Sequence, residues 1–419
     1  MTERTVIVGQ GYVGLPLAMR AVEAGLDVVG FETNDERVRS LADGNSYVED
    51  IAAGTLAGAL ASGRYRPSSE PKACADFDVA VITVPTPLRD GNPDLSYIEG
   101  AAVMLGSCVR PGATVVLEST TYPGTTEELV APILEERSGL TAGRDFHLGY
   151  SPERIDPGNP EWGLANTPKV VSGIDPASLA AVQGFYDRLV EKTVPVSGCK
   201  EAELTKLLEN TFRHVNIALV NELAMFAADL GIDVWEAIDA ASSKPFGYLR
   251  FTPGPGVGGH CLPIDPSYLS WRVRRRLGHS FRFVELANDV NDHMPDYVVK
   301  RLVVALNRAR KAVNGSRVLL LGLAYKRNTS DARESPALVV AERLLALGAE
   351  VRAVDPHVAI GHVDTRVRLV DFSAEELAAA DAVILLTDHD DFDLDAVATN
   401  ARYVLDTRHR LSGHRVEQL

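Results

Sequence analysis

No run of apolar residues in this chain of 419 approaches the roughly 18 that cross a bilayer, so the sequence predicts no membrane anchor. Basic residues are in deficit: 42 Lys and Arg against 57 Asp and Glu leave a formal net charge of −15. Nucleic acid and anionic membranes both demand a basic footprint, so neither is expected as a partner. Cysteine is scarce as well. Cys74, Cys108, Cys199 and Cys261 are scattered without CxxC or His-rich spacing, which points to reduced thiols and to neither a disulfide framework nor a metal site. The opening MTERTVIVGQ lacks the basic and apolar regions of a signal peptide, and a cytoplasmic protein is expected. What is present is globular in balance, 46% hydrophobic and 24% charged. At about 150 residues per domain, the length predicts two or three units.

The first chemistry in chain order is a glycine turn. Arg4 to Gly9 reads as a buried parallel strand running straight into Gly9, Gly11 and Gly14, spaced GxGxxG, before an apolar helical stretch from Leu15 to Ala24. The first glycine makes the tight turn and the second lets backbone N–H groups approach a pyrophosphate. The third allows close helix packing, and the helix N-terminus adds partial positive charge. Tyr12 and Val13 lie inside this turn. A second strand, Asp27 to Glu32, ends in a carboxylate about 20 residues on, where an acid binds ribose hydroxyls and repels a 2′-phosphate. NAD is therefore favoured over NADP.

Further strands are read at Asp78 to Val84, Thr114 to Leu117 and Phe146 to Tyr150. The first runs into Pro85-Thr86-Pro87, a loop at the sheet edge whose Pro85 and Thr86 are candidate cofactor contacts. The second runs into the hydroxyl-rich Glu118 to Thr126, at the end of a parallel strand where ligands bind and where Thr125 or Thr126 could cap the next helix. After the third, Glu153 sits between proline-stiffened turns as a candidate acid or base, with a solvated loop carboxylate as the plainer alternative.

From Ser197 the pattern turns helical. Glu201 to Leu230 carries apolar residues at mostly helical spacing with no breaker until Gly231, and its apolar surplus predicts packing against a second subunit. Lys206 and Asn210 lie one turn apart and project from one face. The segment Pro253 to Pro266, PGPGVGGHCLPIDP, then presents a single thiol, Cys261, among glycines that permit close approach and prolines that stiffen it, with Asp265 four residues later. Cys261 reads either as a nucleophile or as one more buried cysteine. Helices follow at Pro266 to Leu277 and Phe283 to Arg310. A second α/β unit opens with Arg317 to Leu321, and Asp381 to Leu386 echoes Asp78 to Val84, as a degenerate copy of the first would. Its first loop carries Lys326, Arg327 and Arg333 where glycines would be. That loop suits phosphate or forms a surface charge run.

GQGYVG at Gly9, ESTTYPGTT at Glu118, SPERIDPG at Ser151, ELTKLLENTFRHVNIALVNE at Glu203, PGPGVGGHCLPIDP at Pro253 and GLAYKRNTSDARESP at Gly322 together resemble the UDP-glucose/GDP-mannose dehydrogenase family across essentially the whole chain. The forms around Ser151 and Pro253 look most like the branch acting on UDP-N-acetylhexosamines. The resemblance implies two Rossmann-like, doubly wound α/β domains joined by a central helical domain with a long spine helix. Residues 1–198 would bind NAD, 199–313 would carry catalysis and dimerisation, and 314–419 would bind the nucleotide sugar. It further implies a four-electron oxidation of the C6 alcohol of a nucleotide-diphosphate sugar through a Cys261 thiohemiacetal and thioester. Lys206, Asn210 and Asp265 would polarise the oxyanion and position water, Glu153 would move protons, and Thr120 would hold the water or hydroxyl. Arg333 would contact the NAD pyrophosphate, Lys326 and Arg408 the nucleotide sugar, with Gly258 and Arg250 as further candidate substrate contacts. A homodimer or higher homo-oligomer is expected. UDP- or dTDP-glucose remains an alternative substrate. A single-step β-hydroxyacid dehydrogenase or a non-catalytic NAD sensor remains an alternative class, separated by NADH per sugar.

Overall fold

The structure, a computed structural model, describes residues 3–48, 50–89, 91–155, 159, 161–259, 262–358 and 364–419. Contacts divide the chain into two units, 1–209 and 210–419. The boundary falls inside one long helix, Cys199–Leu230, which starts two residues before the apolar pattern predicts.

The first unit contains β1 (Arg4–Val8), β2 (Asp27–Phe31), β3 (Tyr65–Ser68), β4 (Val79–Ile82), a short antiparallel hairpin of β5 (Leu88–Arg89) and β6 (Asn92–Pro93), then β7 (Thr114–Leu117), β8 (His147–Tyr150), β9 (Lys169–Gly173) and β10 (Thr193–Pro195). Its main sheet runs β10-β9-β8-β7-β4-β1-β2-β3. Every pair from β3 to β8 is parallel, and the direction reverses once, between β8 and β9. Because successive side chains point to opposite faces, Val6 and Val8 enter one core with Ile82, Val115 and Leu117, while Ile7 enters the other with Val81 and Val116. Both faces are covered, so these strands read as continuous apolar runs rather than alternations. One expectation is corrected here. The Pro85-Thr86-Pro87 loop does not lie at the sheet edge, because β4 is an interior strand between β1 and β7. The prolines are tolerated because they follow the last paired residue of the strand.

The second unit contains β11 (Arg317–Leu321), β12 (Glu350–Val354), β13 (Arg368–Leu369), β14 (Ala382–Leu385), β15 (Val404–Asp406) and β16 (Val416–Gln418), all parallel, in the order β13-β12-β11-β14-β15-β16. This repeats the β3-β2-β1-β4-β7-β8 arrangement of the first unit, the doubly wound order of dinucleotide-binding sheets. The copy extends to the turn. Gly322 N donates to Val354 O as Gly9 N donates to Phe31 O, each at a positive φ. Helices Val234–Ser242, Asp265–Leu277 and Arg282–Arg308 precede this sheet in the chain, and Pro336–Ala346, Ala374–Ala379 and Leu394–Asn400 connect its strands. Among the described residues, no helix is long and apolar enough to cross a membrane.

Candidate active site

In the turn after β1, a Cβ at position 9 would lie 2.7 Å from Thr83 O, and one at position 14 only 1.8 Å from Gly9 O. At position 11 a Cβ would meet nothing within 4 Å. Two of the glycines are thus demanded by protein packing, and the middle one leaves open the space that a pyrophosphate needs. At the end of β2 the buried Glu32 carboxylate accepts from Gln10 N at 3.2 Å and from Asn34 N at 3.1 Å, which fixes it beside the turn. The residues present therefore fit a dinucleotide. Tyr12 and Pro85 are exposed, while Val13 and Thr86 are half-buried.

Two loops of the first unit are tied to the opening turns of the long helix. Lys206 Nζ donates to Glu153 O at 2.6 Å, and both residues are buried. Arg154 Nη2 reaches Glu209 Oε1 at 2.6 Å, so the Glu153 loop is held at two levels. Glu203 accepts from Gly124 N and from both the N and Oγ1 of Thr126, clamping the loop that carries half-buried Thr120. This clamp replaces the hydroxyl cap expected from Thr125 or Thr126. No side-chain cap forms there, and Thr125 Oγ1 donates instead to Tyr122 O. Burial pushes Glu203 up to about 7, even though its three donors favour the ionised form. Burial also works against charge on Glu153, but Lys169, then the neighbouring Glu118 carboxyl, then Lys206 outweigh it and hold its carboxyl below the usual range.

In the second unit, Asn210 Nδ2 donates to Asp265 Oδ2 at 2.6 Å, both buried. Asp265 opens the helix Asp265–Leu277, whose dipole favours a negative charge at that end. The glycine-proline loop is anchored by amides that sequence reasoning passed over. Gly254 N donates to Asn221 Oδ1 at 2.9 Å, and Asn221 Nδ2 to Asn291 Oδ1 at 2.9 Å. A Cβ on Gly258 would lie 2.6 Å from Glu334 O and 2.9 Å from Tyr325 Cβ, so the loop is pressed against the segment that carries Lys326. Arg408 lies beside Gly254, where an added Cβ would be 3.2 Å from its Nη1, and its Nε donates to Leu386 O at 2.6 Å. Among the described residues Arg408 forms no ion pair, and burial lowers its pKa against the opposing pull of Asp388 and Asp406. A half-buried guanidinium in that state is suited to an anionic ligand.

Cys261 and His260 lie outside the described residues. The other three cysteines are poor nucleophiles. Burial pushes the Cys74 and Cys199 thiols up to about 12 and also raises half-buried Cys108. Two candidate cations are turned toward nearby acids. Arg250 pairs with Asp239 at 2.7 Å, and Arg333 with Asp331 at 2.9 Å, both on exposed side chains. Sequence reasoning also missed Glu118, Lys169 and Glu203. The available signals were a lysine opening the apolar strand KVVSG and an acid three residues before Lys206.

A turn that opens to a ligand at one glycine only, beside a fixed acid, together with a buried lysine-glutamate pair in the same unit, defines the NAD-dependent dehydrogenase class. Family models place the chain within that class: the UDP-glucose/GDP-mannose dehydrogenase family's NAD binding domain matches residues 3–190, its central domain 200–293 and its UDP binding domain 319–413. The chain is 35% identical over 390 residues to UDP-N-acetyl-D-mannosamine dehydrogenase of Pyrococcus horikoshii, covering 93% of this chain and 90% of that one. It is 36% identical over 393 residues to UDP-N-acetyl-D-glucosamine 6-dehydrogenase of Pseudomonas aeruginosa, covering 93% and 91%. A solved structure of the UDP-D-ManNAc dehydrogenase from Pyrococcus horikoshii superposes with a TM-score of 0.91 at 32% identity, covering 99% of this chain and 98% of that one. The chain belongs to the UDP-glucose/GDP-mannose dehydrogenase family. It is an oxidoreductase that uses NAD, and its substrate is a nucleotide sugar.

Proposed function

We propose that this enzyme oxidises the C6 alcohol of a UDP-N-acetylhexosamine, of the gluco or manno series, to the uronic acid in two steps at one site. The substrate class follows the relatives named above, which act on UDP-N-acetylmannosamine and UDP-N-acetylglucosamine. The observation that carries the mechanistic reading is the pairing of its candidates. Lys206 holds the Glu153 loop, and Asn210, one turn further along the helix, holds Asp265.

NAD at the Gly9–Gly14 turn supplies the hydride acceptor for both oxidations. Glu153 takes the proton of the C6 hydroxyl, and Lys206 stabilises the alkoxide as charge develops. Cys261 Sγ then adds to the aldehyde carbon, giving a thiohemiacetal whose second hydride loss leaves a thioester. Asn210 and Asp265 orient the oxyanion and the attacking water, Thr120 holds that water, and hydrolysis frees the thiol and the carboxylate. Gly258, Lys326 and Arg408 would hold the nucleotide sugar, with Arg250 and Arg333 reaching substrate and NAD once released from Asp239 and Asp331. In this scheme residues 1–198 bind NAD, 199–313 carry catalysis and dimerisation, and 314–419 bind the nucleotide sugar.

Leu204, Leu208, Phe212, Leu219, Phe226 and Leu230 form one exposed apolar stripe along the long helix, which supports a homodimer. Free thiols and a thiol nucleophile suit the reducing cytoplasm. The test is a Cys261→Ala variant in a nucleotide-sugar panel. It should bind NAD and substrate but lose steady-state acid formation by roughly three orders of magnitude, the scale of removing a covalent route. Cys261→Ser should hold an ester visible by intact mass. Uronic acid formed by Cys261→Ala at the wild-type rate, with two NADH per sugar, would exclude the thioester.

A further inference from the structure

Behind the Glu153 loop lies a buried charge cluster for which the scheme above has no use. Lys169, at the start of β9, pairs with Glu118 at the end of β7 and stands 3.6 Å from Glu153 Oε2. Tyr186, on the helix Pro176–Tyr186, donates its hydroxyl to the other Glu118 oxygen and stacks its ring under the Lys169 ammonium at 5.2 Å. All four side chains are removed from solvent or nearly so. Their charges do not balance: one cation faces two carboxyls.

The hydrogen bonds show where the imbalance is resolved. Glu153 Oε1 accepts the N–H groups of Arg154 and Ile155. Glu153 Oε2 is buried with no hydrogen-bond partner, and the Lys169 ammonium is too far away to serve as one. A buried carboxylate oxygen left in that state forfeits its hydration with no compensating bond. The group facing it is the Glu118 carboxyl, and contact between two carboxyls becomes a hydrogen bond only when one of them carries a proton.

We propose that Glu118 and Glu153 share one proton across Lys169, so that Glu118 sets the protonation state of Glu153 as a positioning residue that never touches substrate. With the proton on Glu118, Glu153 is a carboxylate and can act as a base. Moving that proton from the Glu118 oxygen to Glu153 Oε2 makes Glu153 an acid and Glu118 a carboxylate, which Lys169 and the Tyr186 hydroxyl then stabilise. One proton moves, no electron does, and the cluster stays neutral throughout. Electrostatics agrees with this direction. Burial first, then the neighbouring Glu153, push Glu118 up to about 7 against the pull of Lys169, while Glu153 is held low. Among the described residues, Ser151 and Lys206 also act on the cluster, through Tyr186 and Glu153 respectively. Environments that push two facing carboxyls apart in this way divide acid and base roles between them.

The inference rests on reading Glu153 as the acid–base group, so its test has one arm that does not. Infrared difference spectra of the intact enzyme, taken as pH is raised through 7, should show, beyond the band that Glu203→Gln removes, a protonated-carboxyl C=O band that titrates near 7 and is missing in Glu118→Gln. Absence of that band from the wild type, or its survival in Glu118→Gln, overturns the shared proton. In the kinetic arm, Glu118→Gln should lower kcat roughly tenfold to a hundredfold and abolish the kcat inflection near pH 7, with both KM values nearly unchanged. Glu118→Asp, which can still titrate, should restore an inflection. A Glu118→Gln enzyme with lower stability but a wild-type pH profile would make the cluster structural only and sink the proposal. If Glu153→Gln turned over at the wild-type rate while the wild type kept its Glu118-dependent infrared band, the functional reading of Glu153 would fall and the shared proton would stand.

Discussion

Replacing Gly14 by alanine tests the dinucleotide turn more sharply than any change to a charged residue. Gly14 heads the helix Gly14–Glu23, where alanine alone would be favoured over glycine by about 1 kcal/mol. Its new Cβ would stand 1.8 Å from the carbonyl oxygen of Gly9 and 2.4 Å from Thr83 Oγ1. The first obstacle is backbone, not the free end of a side chain. Gly9 cannot retreat easily, because its N–H is bonded to Phe31 O and its oxygen accepts from Thr83 Oγ1. Overpacking of this kind costs about 3 kcal/mol, so the clash exceeds the helix gain and about 2 kcal/mol remains as a widened turn. If NAD needs the turn unwidened, Kd for NADH should rise roughly thirtyfold. Gly11→Ala is the control: its Cβ meets no protein atom, so thermal stability should not change, yet NADH binding should fall because the methyl enters the ligand's space. Fluorescence titration with NADH, thermal unfolding, and UDP calorimetry as a check on the second unit distinguish the two variants. Gly14→Ala with wild-type Tm and wild-type NADH affinity would refute the packing argument.

Glu32→Ala should narrow the NAD over NADP preference in kcat/KM, since the fixed carboxylate goes and Arg37, 3.8 Å from it, is freed toward a 2′-phosphate; equal use of both cofactors by the wild type would defeat the assignment. Glu203 is raised from 4.5 to about 7 in the fold, so its contribution to stability is complete below about pH 4.5 and is lost as pH rises through 7. That difference is worth about 3 kcal/mol, and urea unfolding of wild type against Glu203→Gln should show the wild type losing relative stability between about pH 4.5 and pH 7. A pH-independent gap would remove Glu203 from the titration. Leu219→Asp with Phe226→Asp, on the exposed stripe of the long helix, should convert a dimer to monomer in light scattering, whereas an unchanged mass would place the interface elsewhere.

Much of this molecule is local in origin, and the sequence by itself determined that part. Apolar runs bounded by turns specified β7 and β11 to the residue, because strands covered on both faces have no polar alternation to blur their ends. Glycine spacing marked the dinucleotide turn, and helical period placed Lys206 and Asn210 one turn apart. Tertiary structure alone decided which groups face each other. Glu118 and Lys169 are 51 residues apart, and Glu203 lies 77 from the threonine it caps. Nothing in either local pattern distinguishes a strand-end acid bonded to a buried lysine from one in water. The cap on the Thr120 loop was misread for the same reason: a hydroxyl beside a helix start is a local signal, while a carboxylate arriving from another helix is not. Periodicity reports which face a residue occupies. Its protonation state and its partner depend on desolvation and on charges brought close only when the sheet and the long helix pack.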